Sequence, residues 1–151
     1  MSDLKAIGPQ GILRGGWSDL VNDYALNCFW GQGGKILIVG DTAGGIYAFQ
    51  GKSGESIWSN ESHDGGLLAL AAHPNENLFA TAGQDGCVLI SETESGESSL
   101  NLNLGEGWIE HLSWSPEGKW LAAAFSRRVF VFDQQGNECW RSDEQPSTVS
   151  A

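Results

Sequence analysis

Short apolar segments, separated by clusters of Gly, Asn, Asp and Ser, run through most of the chain. Within many of them apolar and polar positions alternate, the period of two that is typical of β-strands bounded by turns. The pattern predicts an all-β fold, because the spaces between segments are too short for a stable helix. The predicted strands are 25–30, 35–39, 46–49, 56–59, 67–72, 78–82, 87–91, 98–102, 109–114, 120–125, 129–133 and 138–141.

This pattern repeats along the chain with a period near 42 residues. Ser53-Gly54-Glu55-Ser56 and Ser95-Gly96-Glu97-Ser98 are identical and lie 42 residues apart, and a weaker copy follows at Gln135-Gly136-Asn137-Glu138. His73-Pro74 and Ser115-Pro116 share the same spacing. Four short strands in each repeat of this length are typical of a β-propeller blade. The sequence therefore predicts three blades.

The second and third repeats carry motifs of a known family. The second contains Ser62-His63 and Thr81-Ala82-Gly83-Gln84-Asp85-Gly86, and the third contains the hairpin sequence 112–122 and Phe132-Asp133 in place of Trp-Asp. Over about residues 22–143 the chain resembles the WD40-repeat β-propeller family. The resemblance implies an incomplete, partial β-propeller of three divergent, four-stranded antiparallel blades, although no repeat contains the Trp-Asp dipeptide itself.

The resemblance also implies a division of the chain and a need for more blades. Gly11–Gly16 would be an outer strand closing another blade, and Ser147–Ala151 would open a next innermost strand. Three blades leave two apolar faces uncovered, which is an aggregation hazard. Either the chain is the N-terminal part of a longer propeller, or two copies associate as a homodimer. The expected units are an N-terminal segment 1–21, blades 22–60, 61–103 and 104–143, and a tail or new blade 144–151.

Two sets of side chains are expected to hold the blades together. The family has a buried His–Asp hydrogen-bond network, and the second repeat alone offers both residues. His63 and Asp85 are therefore expected to form a structural hydrogen-bonded pair, while Arg127 occupies the place of Asp85 in the third repeat. Trp58 and Trp140 recur at one position of the repeat, which predicts packing in the core or between blades.

Three residues of the third repeat are candidates for contact with a protein partner. Trp108 follows Gly105-Glu106-Gly107 in a turn between blades. Arg127 and Arg128 lie in the turn between the second and third strands, which the resemblance places on the same face. Trp and Arg are enriched among residues that anchor protein interfaces.

The composition of the chain indicates which classes of partner and which cellular compartment to expect. The net charge of −11 over 151 residues disfavours nucleic-acid binding, because phosphate backbones repel an acidic chain. The three cysteines, Cys28, Cys87 and Cys139, are odd in number and far apart, which indicates a reducing compartment without a disulfide framework. With no apolar run near the ~20 residues of a membrane span and no signal-peptide pattern, we expect a cytoplasmic protein without membrane contact.

The sequence offers no constellation for catalysis, cofactors or metals. Gly51-Lys52-Ser53 resembles the end of a phosphate-binding loop, but position 46 is Ile where that loop requires Gly, and a strand follows. The histidines and cysteines lack the spacing of metal ligands. We therefore expect a non-catalytic scaffold or protein–protein interaction module. The alternative is part of a propeller enzyme or ligand-binding module whose site lies at the ring centre, where Asn27, Glu110 and His111 are the polar residues on innermost strands.

Overall fold

A computed structural model describes residues 16–149, and these form three four-stranded antiparallel sheets in which each strand pairs with the next along the chain. The first sheet contains β1 (Ala25–Gly31), β2 (Ile36–Asp41), β3 (Gly45–Gln50) and β4 (Ser56–Glu61). The second contains β5 (Leu67–Ala72), β6 (Leu78–Gly83), β7 (Cys87–Glu92) and β8 (Ser98–Asn103). The third contains β9 (Ile109–Trp114), β10 (Trp120–Phe125), β11 (Arg128–Asp133) and β12 (Glu138–Arg141). The all-β fold and the three four-stranded antiparallel sheets are confirmed.

The two terminal elements proposed from the sequence fall largely at the margins of the described residues. The outer strand expected at Gly11–Gly16 lies outside them except for its last residue. Of Ser147–Ala151, the last two residues also lie outside, and the others form no strand. Instead the Val149 amide donates to the Ser126 carbonyl at 3.0 Å. The described part of the tail therefore runs back along the turn between β10 and β11.

The sheets stack face to face, and the second sheet is covered on both faces. Because side chains of a strand point alternately to opposite faces, β2 and β3 send one apolar set toward the second sheet and another away from it. The cluster between the first and second sheets contains Ile36, Ile38, Ile46, Ala48, Leu67, Leu70 and Phe79. The cluster between the second and third contains Ala69, Ala80, Ala82, Val88, Ile90, Ile109, Leu121, Ala123, Phe130 and Phe132.

A tryptophan on an outermost strand joins the first sheet to the second. Trp58 on β4 stacks on Phe79 with a 6.2 Å centroid separation, and its indole Nε1 donates to the Thr93 carbonyl at 3.1 Å. Gly96, in the turn that follows, has a φ of 73°, and a Cβ there would lie 2.7 Å from the Trp58 ring. The expected packing of Trp58 between blades is therefore confirmed. The same expectation is wrong for Trp140, which is 55% exposed because no described sheet covers that face.

The junction between the second and third sheets uses a buried histidine. The His73 ring lies edge-on to Trp114 at 4.6 Å, and its Nε2 is 3.0 Å from the Gly118 carbonyl oxygen. The Trp114 indole donates in turn to the Ala71 carbonyl at 3.3 Å. Each sheet is thus tied to its neighbour by packing and by hydrogen bonds to backbone carbonyls.

Candidate functional site

The loops between the sheets and one turn of each sheet lie together at one end of the strands. Antiparallel pairing places the β2–β3, β6–β7 and β10–β11 turns at the same end of the strands as the segments that precede β1, β5 and β9. The register shows this directly, because Leu67 pairs with Gly83 and Ile109 pairs with Phe125. We call this the turn edge, formed by residues 42–44, 62–66, 84–86, 104–108 and 126–127.

His63 and Asp85 meet at the turn edge of the second sheet. His63 Nδ1 lies 3.1 Å from Asp85 Oδ1, and its Nε2 lies 2.8 Å from the Thr81 hydroxyl. The His63 side chain is fully buried, while that of Asp85 is 20% exposed. Asp85 also accepts hydrogen bonds from the amides of Asp64 and Cys87, each at 3.1 Å. The carboxylate therefore links the segment before β5 to the β6–β7 turn, and the structural role of the pair remains a prediction.

Cys87 is the least accessible of the three thiols, and its neighbourhood predicts slow alkylation. Burial raises the pKa of the Cys87 thiol, and the nearby Asp85 carboxylate raises it further. Cys28 and Cys139 are exposed. Because the thiolate is the nucleophile, we expect iodoacetamide at neutral pH to modify Cys87 at least several-fold more slowly than the other two. Peptide mass spectrometry over a time course measures the three rates, and Cys87→Ser identifies its peptide. Equal rates would contradict the prediction.

The first sheet has a buried carboxylate that sequence reasoning missed. Asp41 Oδ1 accepts hydrogen bonds from the amides of Ala43 at 3.1 Å and Gly45 at 2.8 Å. Its Oδ2 accepts a hydrogen bond from the Tyr47 hydroxyl at 2.7 Å, and burial together with this bond raises the pKa of Tyr47. Asp41 is the last residue of β2 and lies three residues before Gly44, which was the available signal for a side chain that closes its own turn.

The structure places two of the three predicted contact residues in adjacent loops of the turn edge. Trp108 is 53% exposed, and its carbonyl accepts the Ser126 amide at 3.3 Å, so its backbone lies beside the β10–β11 turn that carries Arg127. Arg127 is half exposed and forms an ion pair with Glu144 of the tail. Arg128 is less available, because its guanidinium donates to the Ser142 carbonyl at 3.0 Å.

The innermost strands β1, β5 and β9 form a shallow cleft that contains few polar side chains. Asn27, Glu110 and His111 line it together with apolar residues. The Asn27 side-chain amide donates to the Leu70 carbonyl at 3.4 Å and so forms a contact between sheets.

Between residues 16 and 149, no three or more His, Cys, Asp or Glu side chains come together as a set that could hold a metal ion. The only helix in that range is a single short turn, so none has the length and hydropathy of a membrane span.

Comparison with known proteins identifies relatives of the same repeat type. A family model for the WD40 repeat, described as "WD domain, G-beta repeat", matches residues 54–90 and 98–133. The chain is 27% identical to actin-related protein 2/3 complex subunit 1A of Arabidopsis thaliana over 80% of its own length and 34% of the relative's. It is 34% identical to small ribosomal subunit protein RACK1y of Oryza sativa subsp. japonica over 48% of its length and 21% of the relative's. WD repeat-containing protein 3 of Mus musculus is 27% identical over 74% of the chain and 13% of the relative. The chain therefore spans about a third or less of these relatives.

Proposed function

Since the chain belongs to the WD40-repeat family, we propose that it is a non-catalytic scaffold that binds protein partners through its turn edge, with Trp108 and Arg127 as the main contacts. The observation that carries this proposal is the exposed indole of Trp108 beside the turn that presents Arg127. Tryptophan and arginine dominate the binding energy of many protein interfaces. Two relatives support the same class of function, because their names describe subunits of larger assemblies.

The proposal includes a setting for this scaffold. We place it in the cytoplasm. We also infer that it contacts proteins rather than nucleic acid or a membrane surface, since its charge of −11 repels both phosphate backbones and anionic lipid headgroups. Its uncovered sheet faces require completion by further blades, either in a longer chain, in a separate subunit, or in a second copy of this chain.

Affinity capture with matched tryptophan variants tests the proposed surface. We expect Trp108→Ala to weaken the binding of a captured cytosolic protein by about tenfold or more, the effect of removing an interface anchor worth about 1.4 kcal/mol or more. Arg127→Ala should weaken it in the same direction. Quantitative mass spectrometry identifies the protein, and titration of the purified pair gives the change in Kd.

Trp30→Ala is the matched control, because Trp30 is also an exposed tryptophan but lies at the opposite edge, beside the β1–β2 turn. Its binding should equal that of the wild type. The proposal fails if Trp108→Ala and Arg127→Ala capture the same proteins with unchanged affinity, or if Trp30→Ala has as large an effect as Trp108→Ala.

A further inference from the structure

A cleft lies between the first two sheets at the end of the strands opposite the turn edge. It has a volume of about 210 Å³ and is bordered by the end of β1, by the β5–β6 turn and by Thr93, which directly follows β7. Sites for small molecules usually enclose about 300–1,000 Å³, so this space suits one long side chain of a partner better than a whole cofactor. We call it the hairpin cleft.

A buried hydroxyl opens into the hairpin cleft without a hydrogen-bond partner. Thr93 is 1% exposed, and its hydroxyl forms no hydrogen bond with any of residues 16–149. Every fully enclosed polar side-chain atom in that range has a partner, so the Thr93 hydroxyl must reach the solvent of the cleft that it lines. Because buried polar groups in folded proteins are nearly always paired, this hydroxyl is available to a ligand.

The β5–β6 turn holds an unpaired carboxylate at the rim of the same cleft. The amides of Asn75 and Glu76 donate to His73 Nδ1 at 3.1 and 2.9 Å, which fixes the backbone of the turn. Glu76 lines the cleft, and its carboxylate forms no ion pair or hydrogen bond within the part of the chain that the structure describes. The His73 ring also borders the cleft, but a ring nitrogen that accepts amide protons carries none itself.

Acidic side chains continue beyond the hairpin cleft. A second cleft of about 230 Å³ shares Glu76 with the first and adds Glu92 and Glu94. Among the described residues that line these two clefts, none is a lysine or an arginine. The charge of the whole chain, −11, has the same negative sign. A positively charged segment would therefore be attracted to both clefts at once.

We propose that the hairpin cleft binds a basic side chain, lysine or arginine, from a basic segment of a protein partner. The Thr93 hydroxyl and the Glu76 carboxylate accept hydrogen bonds, and an ammonium or guanidinium group has only N–H donors to offer. A neighbouring basic residue of the same segment would lie over Glu92 and Glu94. This inference goes beyond the proposed function, because the hairpin cleft and the turn edge lie at opposite ends of the strands.

A labelled, end-capped tetralysine peptide is the probe, and fluorescence polarisation measures its Kd for the full chain. We expect Glu76→Gln to weaken binding by about tenfold, which corresponds to the loss of one hydrogen bond to a charged group. Thr93→Val keeps the shape of the side chain but removes the hydroxyl, and it should weaken binding by about fivefold. Thr93→Ser should restore most of the affinity. The same peptide with acetylated lysines should not bind.

Glu61→Gln is the matched control, because it removes the same charge from an exposed residue at the other end of the strands. It should change the Kd by no more than about twofold. Equal effects of Glu61→Gln and Glu76→Gln would overturn the proposal, since the peptide would then respond to net charge alone. Failure of the wild type to bind tetralysine, or binding that Thr93→Val leaves unchanged, would also overturn it.

Urea denaturation of Thr93→Val provides a test that does not depend on the peptide. If the hydroxyl is unpaired in the free protein, valine removes no hydrogen bond, and the free energy of unfolding should stay the same or rise. A less stable Thr93→Val variant would show that the hydroxyl is already used within the chain, and the proposed acceptor would then be wrong.

Discussion

Replacing Phe79 with alanine is expected to lower the free energy of unfolding by about 3–5 kcal/mol, the range found when a large aromatic side chain is removed from a packed core. Phe79 is 2% exposed and lies between the first two sheets. Its ring stacks on Trp58 at 6.2 Å and lies 5.6 Å from Phe29. Alanine would leave a cavity bounded by two rigid sheets, which cannot collapse to fill it without breaking strand pairing.

Urea denaturation followed by circular dichroism measures this effect, and Trp30→Ala is again the control. Because Trp30 is 57% exposed, its removal should lower the free energy of unfolding by only about 1 kcal/mol, well below the effect of Phe79→Ala. A loss below about 1 kcal/mol for Phe79→Ala would contradict the description of this junction as one packed core. A change in the slope m would show instead that the variant no longer unfolds in one two-state step or that the surface exposed on unfolding has changed.

The second large effect is expected at the His63–Asp85 pair. Asp85→Ala should destabilise the chain by about 2–3 kcal/mol, because it leaves the fully buried His63 Nδ1 without a partner and removes the acceptor of two backbone amides. Asp64→Ala is the control, since Asp64 is adjacent in the chain but exposed. It should change the free energy of unfolding by no more than about 0.5 kcal/mol.

A double-mutant cycle with His63→Ala separates the pair from its surroundings. If the two residues act as a structural unit, the double variant should be more stable than the sum of the single effects predicts, by a coupling energy of about 0.5–3 kcal/mol. Additive effects would show that His63 and Asp85 contribute independently, and the predicted role of the pair would then be wrong.

The strands could be predicted from the sequence because each depends on a local signal. The strands β6 and β7 are short, mainly apolar runs, and turn residues such as Gly83 and Gly86 separate them, so both the element and its length follow from a few neighbouring residues. Every predicted strand lies within two residues of an observed one. The repeat then supplied the grouping into sheets of four, since strands joined by short turns pair with their neighbours.

The environment of each tryptophan could not be predicted in the same way. Trp58 and Trp140 follow the same local pattern, yet one is packed and the other exposed, because exposure depends on whether a neighbouring sheet is present. The indole of Trp17 donates a hydrogen bond to the Gly51 carbonyl, but the sequence did not predict this contact. Position 13 is leucine where the other repeats have glycine, so the repeat motif cannot be recognised before Trp17. The burial of Asp41 likewise depends on Tyr47 and the tertiary fold.

Within residues 16–149, each sheet is joined to the next by hydrogen bonds between residues about one repeat apart, and this shapes how the protein forms during synthesis. The side-chain hydrogen bonds that link one sheet to the next, or Trp17 to the first sheet, connect residues 34 to 45 positions apart. A sheet can therefore dock on its predecessor as soon as about one more repeat has left the ribosome. Growth from the N-terminus proceeds by adding one sheet at a time. At each stage of that growth, the uncovered face of the newest sheet is the surface that a chaperone would have to protect from aggregation.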